Sequence, residues 1–577
     1  MKTVEGTFKS FDQSELFYRE WEHDVPHNGR ILILLHRGHE HSGRLESIAA
    51  KPEFSGYKIF SYDNRGHGYT KVTPAYEFMD MVRDLDTFVS FVCEKEGKSE
   101  EDIFIIANSV AGVTATTWVH DYAPKVKGVA LIAPAFKIKL YFPFAKAFLK
   151  LAVKFKPKMN IKSYVKSKFL THDVDEQRRY DTDELITPNI PARQLTTLLD
   201  TAQRVVDDAH LIATPMLVLS ATKDYVVESK VQGDFYAALA SPLKKFVQLE
   251  GFYHGVLYES EHQQAIEEIV TFMEVCFAQE KKSIDENHMV KEMVKRTKEE
   301  QDKIAYGSLP LWKETNYFIQ RFMMNRLGFM SDGMKIGLKY GFDSGVTLDH
   351  IYKNKPSGVG SIGKMIDKNY LESIGWKGIR QRKVHMIASA EQKIAQLHNE
   401  GKAVRILDIA GGPARYLIEI AQKYPEVEIQ VRDYQVQNVE EGRVLAKERG
   451  LENITYTQSD AFDPERYDPA GYRPNIVIIS GVFELFESND LIGKAIDGVC
   501  SIIEEDGYLL YTGQPWHPQL EQIANVLGNH RDTKWIMRRR SQYELDHLFT
   551  QRGFAKKHML IDDWGIFTVS SAQYRGQ

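Results

Sequence analysis

A chain of 577 residues is too long for one ordinary hydrophobic core, so two large domains with connecting helices are expected. Hydrophobic content of 43%, charged content of 27% and a net charge of -5 fit a soluble globular chain and give no global attraction to nucleic acid, which is not expected as a partner. Cys93, Cys276 and Cys500 are too few and too scattered for a disulfide framework or a structural zinc site. That usage reads as a reducing cytoplasm, and neither a signal peptide nor a membrane-spanning apolar run is evident.

From the start, short apolar runs at 30–35, 57–62, 102–107, 126–133, 215–220 and 245–249 alternate with amphipathic stretches. This spacing predicts a mainly parallel sheet wrapped by helices. Ala107-Asn108-Ser109-Val110-Ala111-Gly112 follows the third run, and Asp224 and His254 follow the last two. A serine hydroxyl is a poor nucleophile unless a tight strand-to-helix turn presents it to a base. The chain order Ser, Asp, His then assigns Ser109 as nucleophile, His254 as general base and acid, and Asp224 as the group orienting the imidazole. His36, His39, Glu40 and His41 lie too close together in one loop to converge as metal ligands, so no metal is expected.

Between these elements, residues 136–170 carry ten lysines and no acidic residue. On a helix through 143–156, Lys146, Lys150 and Lys154 share one stripe, with Phe144, Phe148, Leu151 and Phe155 opposite. A basic amphipathic helix of this kind suits peripheral contact with an anionic membrane, at the inner face of a cell. The same apolar face would equally serve as a lid over an acyl pocket.

Residues 1–278 resemble α/β-hydrolases of the monoacylglycerol lipase and lysophospholipase type. The resemblance rests on His36-Arg37-Gly38-His39-Glu40-His41-Ser42-Gly43-Arg44, Tyr62-Asp63-Asn64-Arg65-Gly66-His67-Gly68, the Ser109 turn, Asp224-Tyr225-Val226-Val227 and Phe252-Tyr253-His254. It implies a cap at about 136–205 and an oxyanion hole from the backbone N–H groups of Gly38 and Val110, each stabilising by roughly 2.7 to 4 kcal/mol. It also implies an amphiphilic acyl ester as substrate. Arg37, His39, Ala107 and Ala111 depart from the glycines usual there; Arg37 would narrow the pocket or meet an anionic group.

Past residue 279 the texture becomes dense in Lys and Glu, which predicts a solvated helical linker over 279–305. A Gly-rich and aromatic segment with a helix over 380–399 fills 306–400. A second sheet then opens at Val404, with further strands at 428–432, 454–457, 475–480, 507–512 and 564–570. Its first strand ends in Asp408-Ile409-Ala410-Gly411-Gly412-Pro413-Ala414, small residues that let backbone approach a bound cofactor. Asp433 ends the next strand, where a carboxylate can take ribose hydroxyls; Asp460-Ala461 follows the third strand and Gly481 the fourth.

Residues 401–577 resemble a class I S-adenosylmethionine methyltransferase. Together with Gly341-Phe342-Asp343-Ser344-Gly345, Leu348-Asp349-His350-Ile351-Tyr352 and residues 375–382, they resemble the methyltransferase half of bacterial proteins that fuse a hydrolase to such a domain. The resemblance implies S-adenosyl-L-methionine as cofactor, held by Asp408, Ala410, Gly411, Gly412, Asp433, Asp460, Ala461 and Gly481. A nicotinamide site would instead want Gly-x-Gly-x-x-Gly. Glu484, Tyr511, Trp516 and His517 are candidates for the acceptor side, Trp516 and His517 reading rather as packing residues, and Arg538-Arg539-Arg540 reads as a solvated helix edge ahead of a site for a phosphate or acidic lipid.

The expected fold is therefore α/β in two doubly wound domains: an N-terminal α/β-hydrolase fold with a helical cap, and a C-terminal Rossmann-like class I methyltransferase, joined by a helical linker. The expected function is a serine ester hydrolase fused to a methyltransferase, serving lipid metabolism. The alternative is that the hydrolase-like half is a non-catalytic lipid- or protein-binding module.

Overall fold

The computed structural model describes residues 1–71, 76–142, 144–279, 286–468, 470–531 and 533–576. It divides into two compact units, Met1–Met289 and Val290–Gln577.

The first unit holds strands β1 (Lys2–Lys9), β2 (Glu15–Glu22), β3 (Ile31–Leu35), β4 (Lys58–Tyr62), β5 (Ile103–Asn108) and β6 (Gly128–Ile132), a short pair β7 (Asn160–Lys162) and β8 (Asn189–Pro191), then β9 (Met216–Ala221) and β10 (Lys244–Leu249). All but the short pair form one sheet in the order β1-β2-β4-β3-β5-β6-β9-β10. β2 runs antiparallel to both neighbours, and the strands from β4 to β10 are parallel. β3, β5, β6 and β9 are buried along their whole length, as helices on both faces demand, which is why each reads as a continuous apolar run. This is the α/β-hydrolase arrangement. Parallel strands align their carboxyl ends, so the loops after β5, β9 and β10 open on one edge.

The cap lies between β6 and β9 and comprises the β7–β8 pair with helices Ala145–Phe155, Val174–Thr182 and Ala192–Asp207. Of the helix expected over 143–156, Pro143 lies outside the described residues. Lys146 and Lys150 turn to Asp200 at 3.0 and 2.7 Å. Phe144, Phe148, Leu151 and Phe155 face outward, Phe148 with 72% of its surface exposed, so this stripe does not close the pocket.

The second unit holds β11 (Arg405–Ile409), β12 (Glu428–Asp433), β13 (Ile454–Gln458), β14 (Ile476–Ile479), β15 (Tyr508–Gly513), β16 (Phe554–Ile561) and β17 (Thr568–Tyr574). Their order is β13-β12-β11-β14-β15-β17-β16, parallel as far as β15 and antiparallel around β17. This is a Rossmann-like sheet, and the chain reverses its direction of travel across it between β11 and β14. A crevice is expected outside the strand ends at that point.

Two expectations for this unit are corrected. Residues 280–285 of the expected linker lie outside the described residues, and the helix Glu286–Tyr306 is not simply solvated: Met293 and Thr297, one turn apart, are buried, and Glu300 pairs with Arg539 at 2.7 Å. Nor is Arg538-Arg539-Arg540 a solvated helix edge. All three are non-helical and buried. Arg538 pairs with Glu544 at 2.6 Å, and Arg540 donates to the Phe486 carbonyl and Asn489 at 2.8 Å. Burial, followed by the neighbouring charge of Arg538, pushes the Arg540 guanidinium down to about 9. Partners distant in sequence absorb these charges, which local pattern does not show. No helix among the described residues is long and apolar enough to cross a membrane.

Two candidate active sites

Ser109 sits between β5 and the helix Val110–Tyr122 with φ 53° and ψ -111°, a conformation few residues with a side chain adopt. The sharp turn forces close approach: a Cβ on Gly112 would lie 2.8 Å from Pro134 Cβ. Ser109 Oγ is 2.8 Å from His254 Nε2, and His254 Nδ1 is 2.7 Å from Asp224 Oδ2. Asp224 Oδ1 accepts from the Val226 and Val227 amides at 2.7 and 2.9 Å. Burial alone would raise the Asp224 carboxyl, but the charge and hydrogen bond of His254 and the two amides outweigh it and hold it below the usual range.

The loop after β3 is built to hold backbone near this serine. A Cβ on Gly38 would lie 3.2 Å from Val110 Cγ2, so the two residues expected to donate to an oxyanion are neighbours. His39 takes φ 73°, the region that favours glycine, with its Nδ1 2.8 Å from the Thr187 carbonyl. His36 Nε2 accepts from the Asn64 amide at 3.0 Å, so its proton sits on Nδ1, 2.7 Å from the Arg37 carbonyl. His41 turns to Asp183 at 3.0 Å, and Glu40 is bound by Arg37. Each of these four residues is thus engaged by protein groups of its own surroundings. Arg37 is itself buried, paired with Glu40 and placed 4.7 Å over the Tyr258 ring, so its charge is already answered.

Ser109 and His254 open on a cavity of about 490 Å³. Its far walls come from the cap, with Leu149, Ile161, Ile190, Leu195 and Leu198 among the lining. These residues were missed from sequence because the folding of the cap, and no local motif, turns them inward.

In the second unit, the turn after β11 and the residues after β14 flank a cavity of about 550 Å³. Ala410, Gly411, Gly412, Asp433 and Gly481 line it. Ala410 and Ala414 have φ of 56° and 48°, so the chain keeps a methyl at two left-handed positions. A Cβ on Gly412 would point into open space, its nearest neighbour Asn438 Nδ2 at 4.0 Å, whereas one on Gly411 would strike the Asp408 carboxylate. Space of this kind beside bare backbone fits a bound nucleoside group. Asp433 accepts from Gly412 N, Gln435 N and Asn438 Nδ2 at 2.9, 2.9 and 3.0 Å, which leaves about one of a carboxylate's four acceptor positions.

The remaining expected residues fall elsewhere. Asp408 is buried beneath the turn, with Oδ2 accepting from the Tyr416 hydroxyl at 2.6 Å and Oδ1 without a partner among the described residues. Burial, reinforced by the charge of Asp433, pushes its carboxyl up to about 8. Asp460 caps the Phe462 amide at 2.9 Å, and neither it nor Ala461 is among the cavity's lining residues.

A smaller cavity, of about 200 Å³, shares Asp343, Leu348, Arg382, Gly481 and Leu485 with the larger one. Glu484 and His517 line it; Tyr511 does not, being wholly buried with its hydroxyl 3.0 Å from Asp546, and Trp516 packs against a hydrophobic cluster.

Comparison with known proteins agrees with this division. A family model described as "Serine aminopeptidase, S33" matches residues 26–261, and one described as "Putative methyltransferase" matches residues 269–574. The uncharacterized protein YnbC of Escherichia coli is 40% identical over 577 residues, covering 99% of this chain and 98% of its own. The phospholipase YtpA of Bacillus subtilis is 23% identical over 42% of this chain and 93% of its own, and the monoacylglycerol lipase of Mycolicibacterium smegmatis 21% over 47% and 96%. The chain therefore joins a lipase-like hydrolase domain to a methyltransferase domain, and with the second model covering more than half of it, it belongs to that methyltransferase family.

Proposed function

We propose that this protein is a bifunctional enzyme: a serine hydrolase that cleaves an amphiphilic acyl ester, and an S-adenosyl-L-methionine-dependent methyltransferase. The observation that carries the first half is the unbroken hydrogen-bond relay from Ser109 through His254 to Asp224 at the mouth of the cap-lined cavity. His254 takes the Ser109 proton as the hydroxyl attacks the acyl carbon, and later returns it to the leaving alcohol. Asp224 holds the imidazole and offsets its charge. The amides of Gly38 and Val110 receive the oxyanion. An apolar lining suits an acyl chain, and the lipase relatives point the same way.

Phe144, Phe148 and Phe155 beside a lysine-rich segment support docking of the cap on an anionic lipid surface, from which such an ester is drawn. In the second half, Ala410, Gly411, Gly412 and Gly481 form the cradle for the cofactor and Asp433 its polar edge. When bound, S-adenosylmethionine supplies an electrophilic methyl group; the protein's own share is positioning and exclusion of water.

Hydrolysis of short-chain p-nitrophenyl esters by the full chain, compared with Ser109→Ala, tests the first half, and equal rates would reject it. Calorimetry with S-adenosylmethionine, compared with Asp433→Ala, tests the second. Absence of binding to the unsubstituted protein would reject it.

A further inference from the structure

Resting on the methyl-transfer reading of the second unit, we infer that the 200 Å³ cavity beside the cofactor cradle is the acceptor pocket and binds an uncharged, flat heteroaromatic ring with adjoining hydrogen-bond donor and acceptor groups.

Its shape comes from rings. Trp376 and Trp535 lie 6.2 Å apart at 28°, Tyr370 meets Trp376 at 5.7 Å, and Phe567 meets His517 edge-on at 6.2 Å. Flat surfaces in such a setting select a flat guest. The space is less than half that of the 490 Å³ cavity in the hydrolase unit, enough for a ring system and too small for a long acyl chain.

Its charges are already answered. Arg382 pairs with Glu484 at 3.2 Å, and Asp343 with His530 at 2.7 Å. His517 accepts from the Gln519 amide at Nδ1, 3.1 Å away, so its neutral ring carries the proton on Nε2. Burial pushes its pKa down to about 4, and it stays neutral at working pH. A phosphate or carboxylate would enter this pocket with no free cation to meet it, since Arg382, the lining arginine, is already paired.

Three lining side chains, Gln514, Trp535 and Tyr370, have buried polar atoms with no hydrogen-bond partner among the described residues. Gln514, at the end of β15, is 3% exposed, and both its Oε1 and Nε2 are buried and unbonded. Trp535 Nε1, another lining group, is likewise unbonded. The neighbouring amides differ: Gln519 bonds Gln522 at 3.1 Å, and Gln522 bonds Gln320 at 2.8 Å. Buried amides are rarely left unsatisfied at both ends. A primary amide presents a donor beside an acceptor, the complement of a ring lactam or a hydroxy-substituted ring nitrogen.

The test uses the full chain, with 2-quinolone as the neutral ring lactam, 2-methoxynaphthalene as a flat ring without a donor, and phosphocholine and phosphoethanolamine as charged head groups. Binding is read by calorimetry and by quenching of tryptophan fluorescence. 2-Quinolone is expected to bind at least tenfold more tightly than 2-methoxynaphthalene. Gln514→Met is expected to remove that preference, with folding checked by circular dichroism. Should Gln514→Met not fold, Trp535→Phe, which keeps a ring but loses the N–H, is expected to weaken 2-quinolone severalfold. Tighter binding of either head group, or an unchanged preference in the folded variant, would overturn the proposal. Titration with S-adenosylmethionine separates the two failures: cofactor binding without a ring preference sinks the acceptor assignment alone. Ring binding without cofactor binding sinks the methyl-transfer reading and leaves the pocket standing.

Discussion

Replacing Asp224 by Asn tests the hydrolytic relay at the point where geometry and protonation can be separated. In the native arrangement Oδ1 accepts from the Val226 and Val227 amides while Oδ2 accepts from His254 Nδ1–H. An asparagine oxygen can keep both backbone bonds, so the loop should hold, with a loss of about 1 kcal/mol for weaker, uncharged bonds. Its NH₂ group then faces Nδ1 and can only donate. The imidazole must turn to the other tautomer, with the proton on Nε2, the atom 2.8 Å from Ser109 Oγ. A protonated Nε2 cannot take the serine proton. For a relay of this kind the expected loss in kcat is about 10⁴-fold, or about 5.4 kcal/mol of barrier. The assay is p-nitrophenyl butyrate hydrolysis, with thermal unfolding alongside. Less than a tenfold loss in a folded Asp224→Asn protein would refute the relay.

Further outcomes follow from other groups. Arg37→Ala leaves Glu40 buried without its main partner and is expected to cost about 3–5 kcal/mol in denaturant unfolding. Asp408 has its folded pKa raised to about 8 from an ordinary 3.8, so its contribution to stability is full below the lower value and is lost as pH rises toward the higher. Asp408→Asn should remove a downward slope of about 1.4 kcal/mol per pH unit across that window, read by unfolding of the full chain at several pH values. Phe148→Glu should weaken sedimentation with phosphatidylglycerol vesicles at least tenfold while leaving hydrolysis of a water-soluble ester unchanged. Equal vesicle binding would remove the docking role.

The central strands were legible because burial on both faces writes an unbroken apolar run: β3, β5, β6 and β9 each lie within about a residue or two of the expected limits. β1 was not, since its residues are mostly exposed, with charges and apolar groups mixed along an edge. β16 escaped for a related reason, with Lys556-Lys557-His558 at its middle and an irregular pairing step between Lys556 and His558. In the sites, Ser109 and the 410–414 turn carried local signatures. Gln514 and Trp535 did not, because their meaning lies in what fails to bond with them across distant segments. Arg538 to Arg540 misled for the converse reason: a charge run looks solvated until its remote partners are known.

That arginine run has a mechanical consequence. Arg538 donates through its backbone N–H to the Glu484 carbonyl at 2.9 Å and through its side chain to that of Glu487 at 2.8 Å, while Arg540 holds Phe486 from behind. Residues 483–487, which carry Glu484 to the smaller cavity, are thereby riveted to the framework of their unit. On the opposite side Asp343 accepts the His530 backbone N–H at 2.7 Å, and Asp349, within the helix Gly345–Lys353, pairs with Arg415. The wall that carries Glu484 is anchored by arginines that do not themselves line the cavity.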